Sequence, residues 1–205
     1  MTWKNDQITE QDTQKILELA KSALQIEGDF VEFGCYKGDT SLLLAELLVE
    51  KSPENHVENL VDNSAQNHVQ NPAKKLWIYD SFEGLPTKSP EDESILGVDF
   101  KPGELQITKR EVKARFLRAN LPVPIIKKAW FSELTSTDLP EQIAFALLDG
   151  DFYQSIKTSL QLITPRMNKN GIIIVHDYTN PALPGVKQAV DEWTDNKSNL
   201  NLTLL

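Results

Sequence analysis

The sequence predicts an α/β protein in which a mostly parallel sheet carries helices on both faces. Short apolar runs alternate with segments of helical periodicity along the chain. Two of these runs, IAFALLD at 143–149 and GIIIVHD at 171–177, are apolar on consecutive positions, as in strands that are buried on both faces. The length of 205 residues suits one domain over 1–205 with a single core.

The elements follow one another in a regular order. They are a helix at 9–26 within an N-terminal segment 1–28, a strand at 29–34, a helix at 39–50, a strand at 76–80, a helix at 109–120, strands at 123–130 and 143–149, a helix at 153–163, a strand at 171–177, a helix at 185–194 and a strand at 198–205. Thr9 and Thr108 each begin a helix with an acidic residue three positions later, as in a capping box. Asp39 or Thr40 is expected to cap the second helix, and Asp151 the helix at 153–163.

Residues 51–75 interrupt this pattern as a low-complexity insertion. Asparagine recurs at every fourth position from 55 to 71, and few side chains are large and apolar. Such a segment buries too little apolar surface to offset its ordering entropy, so a mobile surface loop is predicted. His56 and His68 are 12 residues apart, about 120° around a helix axis, which gives poor support for a shared metal site.

The composition argues against several classes of function. A net charge of -9 and a pI near 4.9 would repel nucleic acid and anionic membranes, and no Lys/Arg cluster offsets this charge. The N-terminus lacks the basic-then-apolar order of a signal peptide, and no apolar run approaches the ~18 residues that cross a bilayer. Cys35 is the single cysteine, which predicts a packed thiol in a cytoplasmic protein.

Acidic residues close most of the predicted strands. In open parallel sheets, ligands bind at the carboxyl ends of the strands, near the point where the strand order reverses. The residues at these ends are Glu32 to Gly34, Asp80, Trp130, Asp149 and the pair His176-Asp177. Four of the five ends are acidic, which indicates a binding site at this edge of the sheet.

The bend after the first strand, EFGCYKG at 32–38, is not the G-x-G-x-x-G pattern of dinucleotide binding, because three residues separate its two glycines. By itself the bend is equally an ordinary strand-to-helix turn. Without the insertion, however, Asp80 follows Glu32 by 23 residues, close to the ~20 of a nucleoside-binding unit. Asp80 is therefore placed to accept hydrogen bonds from ribose hydroxyls, which predicts an adenosine-containing cofactor.

Five segments resemble, in this order, the macrocin O-methyltransferase family. They are VEFGCYKGDTSLLLAELL, IYDSFEGLP, AWFSEL, ALLDGDFYQSIKTSLQLITPRMNKNGIIIVHDY and GVKQAVDEW, between residues 29 and 194. DSFEGLP and DGDFYQS are the specific parts. The resemblance implies a single-domain, Rossmann-like class I methyltransferase fold. It also implies an enzyme that transfers a methyl group from S-adenosylmethionine to a hydroxyl of a sugar or small glycosylated metabolite.

The resemblance further implies the cofactor-binding residues. Those expected around the methionine and ribose are Glu32, Phe33, Gly34, Tyr36, Gly38, Thr40, Ser41 and Asp80. Ser81 and Phe82 are expected beside the nucleoside. Trp130 is expected against the adenine, where an aromatic face supplies stacking, or else in the core.

Asp149, His176 and Asp177 are the metal ligands that the resemblance implies. Family members carry a carboxylate at the first position and an Asp-Asp pair at the second, which hold magnesium beside the acceptor hydroxyl. The His-Asp pair departs from this pattern, because magnesium prefers oxygen ligands whereas imidazole suits zinc, iron, nickel or manganese. The alternative is that His176 and Asp177 simply hydrogen-bond to loop backbone. Asp149 is the candidate general base, helped by the metal.

The loop at 83–106 corresponds to a region that folds over the active site in the family, with Gly97 and Gly103 as hinges, unless it is only a solvated loop. Class I sheets usually end in an antiparallel hairpin, and residues 198–205 provide one of its two strands. Either the protein ends early without the last strand, which would leave an edge for a second copy to cover as a homodimer, or further residues follow the given sequence.

Two other functions stay open. A differently specific nucleoside-cofactor enzyme, such as a dehydrogenase, would use the same kind of sheet, although the missing G-x-G-x-x-G argues against it. A non-catalytic relative would keep the cofactor pocket but lack the metal because of His176. The identity of a small-molecule acceptor depends on loops whose specificity the sequence does not reveal.

Overall fold

The computed structural model describes residues 7–50, 74–195 and 201–205. Its helices and strands are α1 (Glu10–Ala23), β1 (Asp29–Phe33), α2 (Asp39–Glu50), β2 (Leu76–Asp80), α3 (Lys109–Arg118), β3 (Ile125–Lys128), β4 (Ile143–Leu148), α4 (Tyr153–Ile163), β5 (Met167–Val175), α5 (Pro184–Thr194) and β6 (Asn201–Leu204). Each of them overlaps a predicted element of the same type. The insertion predicted at 51–75, including His56 and His68, lies outside the described residues except for its last two positions.

The six strands form one parallel sheet in the order β3-β2-β1-β4-β5-β6. The strand order reverses between β1 and β4, where a crevice opens at the carboxyl ends of an open α/β sheet. The register places Phe33 of β1 beside Tyr79 of β2 and Leu148 of β4. The residues that follow these three strands therefore emerge at the same level of the sheet.

Helices cover both faces of the sheet, as predicted. On one face α1, α2 and α3 contribute Ile16, Leu42 and Phe116 to a buried apolar cluster. On the other face α4 and α5 contribute Ile156 and Val186 to a second cluster. Among the described residues, no helix is long and apolar enough to cross a membrane.

The predicted helix caps are correct for two helices and wrong for two. Thr9 and Thr108 begin α1 and α3, and each side chain accepts a hydrogen bond from the backbone three residues later. Asp39 and Thr40 do not precede α2 but lie inside its first turn. Asp151 does not cap α4, because the residue at its N-cap is the next one along the chain and makes no side-chain cap bond.

The edge strand β6 pairs with β5 in parallel, so the described sheet is parallel throughout. Residues Ile172 to Val175 lie opposite Asn201 to Leu204. On its other side β6 has no neighbouring strand within the described ranges. The pairing of this edge with a second copy stays a prediction.

A buried carboxylate of the 83–106 loop accepts a hydrogen bond from the backbone at the first turn of α4. Asp92 Oδ1 accepts a hydrogen bond of 2.7 Å from Tyr153 N, and Oδ2 accepts bonds from the backbone N (3.0 Å) and Oγ (2.8 Å) of Ser89. Gly185 of α5 lies so close that a Cβ there would be 1.9 Å from Asp92 Oδ1. Asp92 thus joins the loop to the beginnings of α4 and α5, and its negative charge suits a helix N-terminus.

The carboxyl group of Glu32 joins β1 to α2 inside the protein. It is 1% exposed and accepts a hydrogen bond from Ser41 Oγ. Burial raises the pKa of Glu32 to about 8; the Ser41 hydrogen bond opposes this rise, and the charges of Asp149 and Asp80 add to it. The folded protein therefore favours the neutral carboxyl.

We predict that Asp92→Ala lowers the free energy of unfolding by about 1.5–3 kcal/mol, because the buried amide of Tyr153 and the half-buried donors of Ser89 lose a charged acceptor. Urea denaturation measures this loss, and faster hydrogen exchange of the Tyr153 amide locates it. Glu93→Ala, which removes an exposed carboxylate from the same loop, is the matched control. Equal losses in the two variants would contradict the role of Asp92.

The pKa of Glu32 predicts that folding becomes less favourable as pH rises from about 4.5 to about 8. In this window the unfolded chain releases the Glu32 proton while the folded chain keeps it, so stability falls with rising pH. At about 1.4 kcal/mol per pKa unit the loss is on the order of 4 kcal/mol. Glu32→Gln should remove this loss, as measured by urea denaturation at several pH values.

The exposed residue Glu141 provides the control, because Glu141→Gln should leave the pH profile of the wild type unchanged. A Glu32→Gln variant whose stability falls with pH as steeply as the wild type would refute the assignment.

Candidate functional site

The carboxyl ends of β1, β2 and β4 are joined by backbone hydrogen bonds. Gly34 N donates to Tyr79 O at 2.9 Å, and Asp149 N donates to Phe33 O at 2.8 Å. Gly34 has a φ of +85°, and a Cβ at this position would lie 2.0 Å from Asp149 O. Only glycine fits here, and its conformation turns the chain out of β1 across the end of β4.

Asp80 organises the bend that follows β1. Its Oδ2 accepts hydrogen bonds from Cys35 N at 2.9 Å and Tyr36 N at 3.4 Å, while its Oδ1 accepts one from Phe82 N at 2.7 Å. Each carboxylate oxygen can accept more than one hydrogen bond. The expected contact of Asp80 with ribose hydroxyls stays a prediction.

A cavity at these strand ends, here termed the central cavity, contains most of the predicted site. The predicted site residues that line it are Gly34, Tyr36, Asp80, Ser81, Trp130, Asp149, His176 and Asp177. Glu32 and Thr40 line a smaller side pocket, which shares Gly34, Tyr36 and Asp149 with the central cavity. The two hollows therefore adjoin, and the acidic strand ends face one region.

Four of the predicted cofactor-binding residues line neither hollow. They are Phe33, Gly38, Ser41 and Phe82. Phe33 is fully buried and stacks on Tyr79 with 4.5 Å between ring centroids. Ser41 is hydrogen-bonded to Glu32, and Phe82 packs its side chain in the core. Phe33, Ser41 and Phe82 therefore pack behind the residues that line the two hollows.

The 83–106 loop contributes to the central cavity, as the family resemblance implies. Leu85 and Leu105, near its two ends, line the cavity together with Phe131. Leu85 N donates to Glu104 O at 2.8 Å, and Gly103 N donates to Leu85 O at 2.9 Å, so the loop ends are paired. The motif DSFEGLP indicated this loop, but the apolar wall was not predicted.

Asp151, for which the sequence predicts helix capping, instead belongs to the candidate site. It lines the central cavity at a φ of +61°, and no hydrogen bond to its side chain is found in the described part of the chain. Burial, with the negative charges of Asp149 and Asp177, raises the pKa of Asp151 well above its ordinary value. Its position in DGD, two residues beyond a strand-end carboxylate, is the sequence feature from which this placement could have been predicted.

Asp149, His176 and Asp177 form a hydrogen-bonded cluster on neighbouring strand ends. Nδ1 of His176 lies 3.1 Å from Asp149 Oδ1 and 2.9 Å from Asp177 Oδ2. Asn180 Nδ2 donates to the other oxygen of Asp177 at 2.8 Å. Burial opposes protonation of His176, but the hydrogen bonds and charges of the two aspartates outweigh it and raise the pKa of His176 to about 11.

The cluster meets the distance requirement for a metal site but not the chemical one. One donor atom from each of its three residues lies within 4.8 Å of the other two. Ionised carboxylates only accept hydrogen bonds, so an Nδ1 that is bonded to two of them carries hydrogen and has no lone pair for a metal. As arranged, therefore, these side chains do not fit a divalent ion.

The comparison with protein families gives one match that spans most of the chain. The profile of the macrocin-O-methyltransferase (TylF) family matches residues 10–203. The 8-demethyl-8-(2,3-dimethoxy-alpha-L-rhamnosyl)-tetracenomycin-C 4'-O-methyltransferase of Streptomyces olivaceus is 25% identical over 173 residues. The demethyldecarbamoylnovobiocin O-methyltransferase of Streptomyces niveus is 24% identical over 173 residues. Each alignment covers 82% of this chain, which spans 58% of the length of either relative.

Solved structures show the same fold. The O-methyltransferase NovP superposes with a TM-score of 0.69 at 24% identity, covering 90% of this chain and 71% of NovP. The calicheamicin methyltransferase CalS11 superposes with a TM-score of 0.66 at 20% identity, covering 89% of this chain and 70% of CalS11. The predicted class I methyltransferase fold is thereby confirmed. Since the family profile also spans nearly all of the described elements, the chain belongs to the macrocin-O-methyltransferase (TylF) family.

Proposed function

We propose that the chain is an S-adenosylmethionine-dependent O-methyltransferase that acts on a hydroxyl of a sugar or small glycosylated metabolite. The observation that carries this proposal is the convergence of Asp80, Trp130 and Asp149 from separate strand ends on the central cavity. The names of two relatives support the acceptor class, since they refer to a rhamnosyl-tetracenomycin and to demethyldecarbamoylnovobiocin. The net negative charge of the chain suits binding of a small molecule better than binding of nucleic acid or an anionic membrane. The proposed location of the enzyme is the cytoplasm.

The residues around the central cavity fit such a cofactor. Asp80 offers carboxylate oxygens to ribose hydroxyls, and half-buried Trp130 offers an aromatic face to the adenine. Gly34 and Tyr36 line both hollows, where the methionine part would lie, with Glu32 and Thr40 in the adjoining side pocket. When bound, S-adenosylmethionine supplies a methyl group on a positively charged sulfur.

Transfer of this methyl group to an acceptor hydroxyl would release the hydroxyl proton, so the cavity wall must supply a base. The sequence predicts Asp149 as this base, but the structure favours Asp151. Asp149 already shares a hydrogen bond with His176 Nδ1, whereas Asp151 faces the cavity with a raised pKa and no hydrogen bond in the described chain. A carboxylate accepts a proton only while it is ionised, and a raised pKa makes the ionised form the stronger base.

Equilibrium binding tests the cofactor assignment. We expect calorimetry to give a dissociation constant for S-adenosylmethionine between about 1 μM and 1 mM, and no binding of NAD. Trp130→Ala should weaken binding roughly tenfold through lost stacking, or about 1.4 kcal/mol. Glu141→Gln, on the exposed surface, should bind as the wild type does. Absence of affinity at millimolar cofactor would end the proposal.

Turnover tests the base. With p-nitrophenyl α-L-rhamnoside as acceptor, Asp151→Asn should lower kcat by about 10²–10⁴-fold because the proton loses its acceptor. Its dissociation constant for S-adenosylmethionine should stay within about twofold, since the substitution preserves shape. Asp149→Asn should lower kcat less. If Asp149→Asn causes the larger loss, the base is Asp149, as the sequence predicts.

A further inference from the structure

His176 occupies an unusual electrostatic position in the central cavity. Three carboxylates, from Asp149, Asp151 and Asp177, line the cavity beside it. Among the described lining residues His176 is the only one with a basic side chain. The basic group that faces these carboxylates within the described cavity wall is therefore an imidazole.

The geometry of the cluster places this imidazole between two of the carboxylates. A metal ion shared by Asp149 Oδ1 and Asp177 Oδ2 would lie about 2.0–2.2 Å from each oxygen. Nδ1 of His176 lies 3.1 Å and 2.9 Å from the same two oxygens, and a hydrogen on Nδ1 that is donated to both would point into the position of the ion.

The members of the cluster are also fixed in place. The His176 side chain is 9% exposed, and its backbone N donates to Leu148 O at 3.0 Å within the sheet. Asn180 holds the second oxygen of Asp177. A rotation of His176 that opened the space for an ion would break its hydrogen bonds to both aspartates.

We infer that the Nδ1–H group of His176 takes the place of an ion in this cluster, between Asp149 and Asp177, and that the chain binds no divalent metal ion there. The catalytic part of this inference rests on the proposed function. In that reaction His176 is a positioning residue, which holds Asp149 and Asp177 at the acceptor side of the cavity and leaves Asp151 to accept the proton.

Manganese alone is the probe for this inference, because free Mn²⁺ is detected directly by electron paramagnetic resonance. We expect no binding to the wild-type chain up to about 1 mM Mn²⁺. His176→Asp should gain Mn²⁺ affinity by at least tenfold, because it removes the N–H group and adds a hard oxygen ligand. The double variant His176→Asp/Asp149→Asn should lose this gain.

Binding of Mn²⁺ by the wild type below about 1 mM, weakened by His176→Asn, would overturn the inference. So would a folded His176→Asp variant, judged by circular dichroism, that gains no affinity. If His176→Asp does not fold, nitrogen NMR of the His176 imidazole in the wild type at pH 7 provides the test, because it shows whether Nδ1 carries hydrogen. Hydrogen on Nδ1, unchanged by excess Mg²⁺, supports the inference, and loss of that hydrogen on addition of Mg²⁺ refutes it.

These measurements need neither cofactor nor acceptor, so they separate this inference from the proposed function. If the chain binds neither S-adenosylmethionine nor Mn²⁺, the proposed function is refuted and the inference about His176 is supported. For an active chain, EDTA should change kcat by less than about twofold. A loss of turnover in EDTA that Mg²⁺ restores would overturn the inference.

Discussion

The contact between Gly34 and the carbonyl of Asp149 is the constraint on which the site depends. It brings the end of β1 across the end of β4 at the point where the strand order reverses. The parallel register then places Asp80 at the same level, and its carboxylate orders the bend that leaves β1. A side chain at position 34 would separate these strand ends, and with them the residues of the central cavity.

Much of the fold follows from local sequence patterns. The apolar run of β4 and the capping box before α3 act over a few residues, so their elements are predicted correctly. The start of β5 is missed because residues 167–170 are mostly polar and lie at the exposed end of the strand. The cap of α4 is missed for a different reason, because Asp92 reaches Tyr153 across 61 residues of chain.

The site is predictable in outline because parallel strands end at a common edge. The strand-end rule identifies Asp80, Asp149 and the His176-Asp177 pair without any structure. It does not reveal which nitrogen of His176 faces the aspartates, nor that Asp151 turns inward at a positive φ. Those details depend on backbone geometry and on charges that the fold brings together, which no local pattern contains.

The anchoring of Asp92 limits how the 83–106 loop could open. An outward movement of all of residues 83–106 would remove the buried Asp92 acceptor from the first turn of α4 and expose the amide of Tyr153. The hinge glycines proposed from the sequence, Gly97 and Gly103, both lie beyond Asp92. If the chain has the proposed function, we therefore expect a bulky acceptor to enter by movement of residues 93–102 while the rest of the loop stays in position. Adaptation to new acceptors would then be restricted mainly to this short segment.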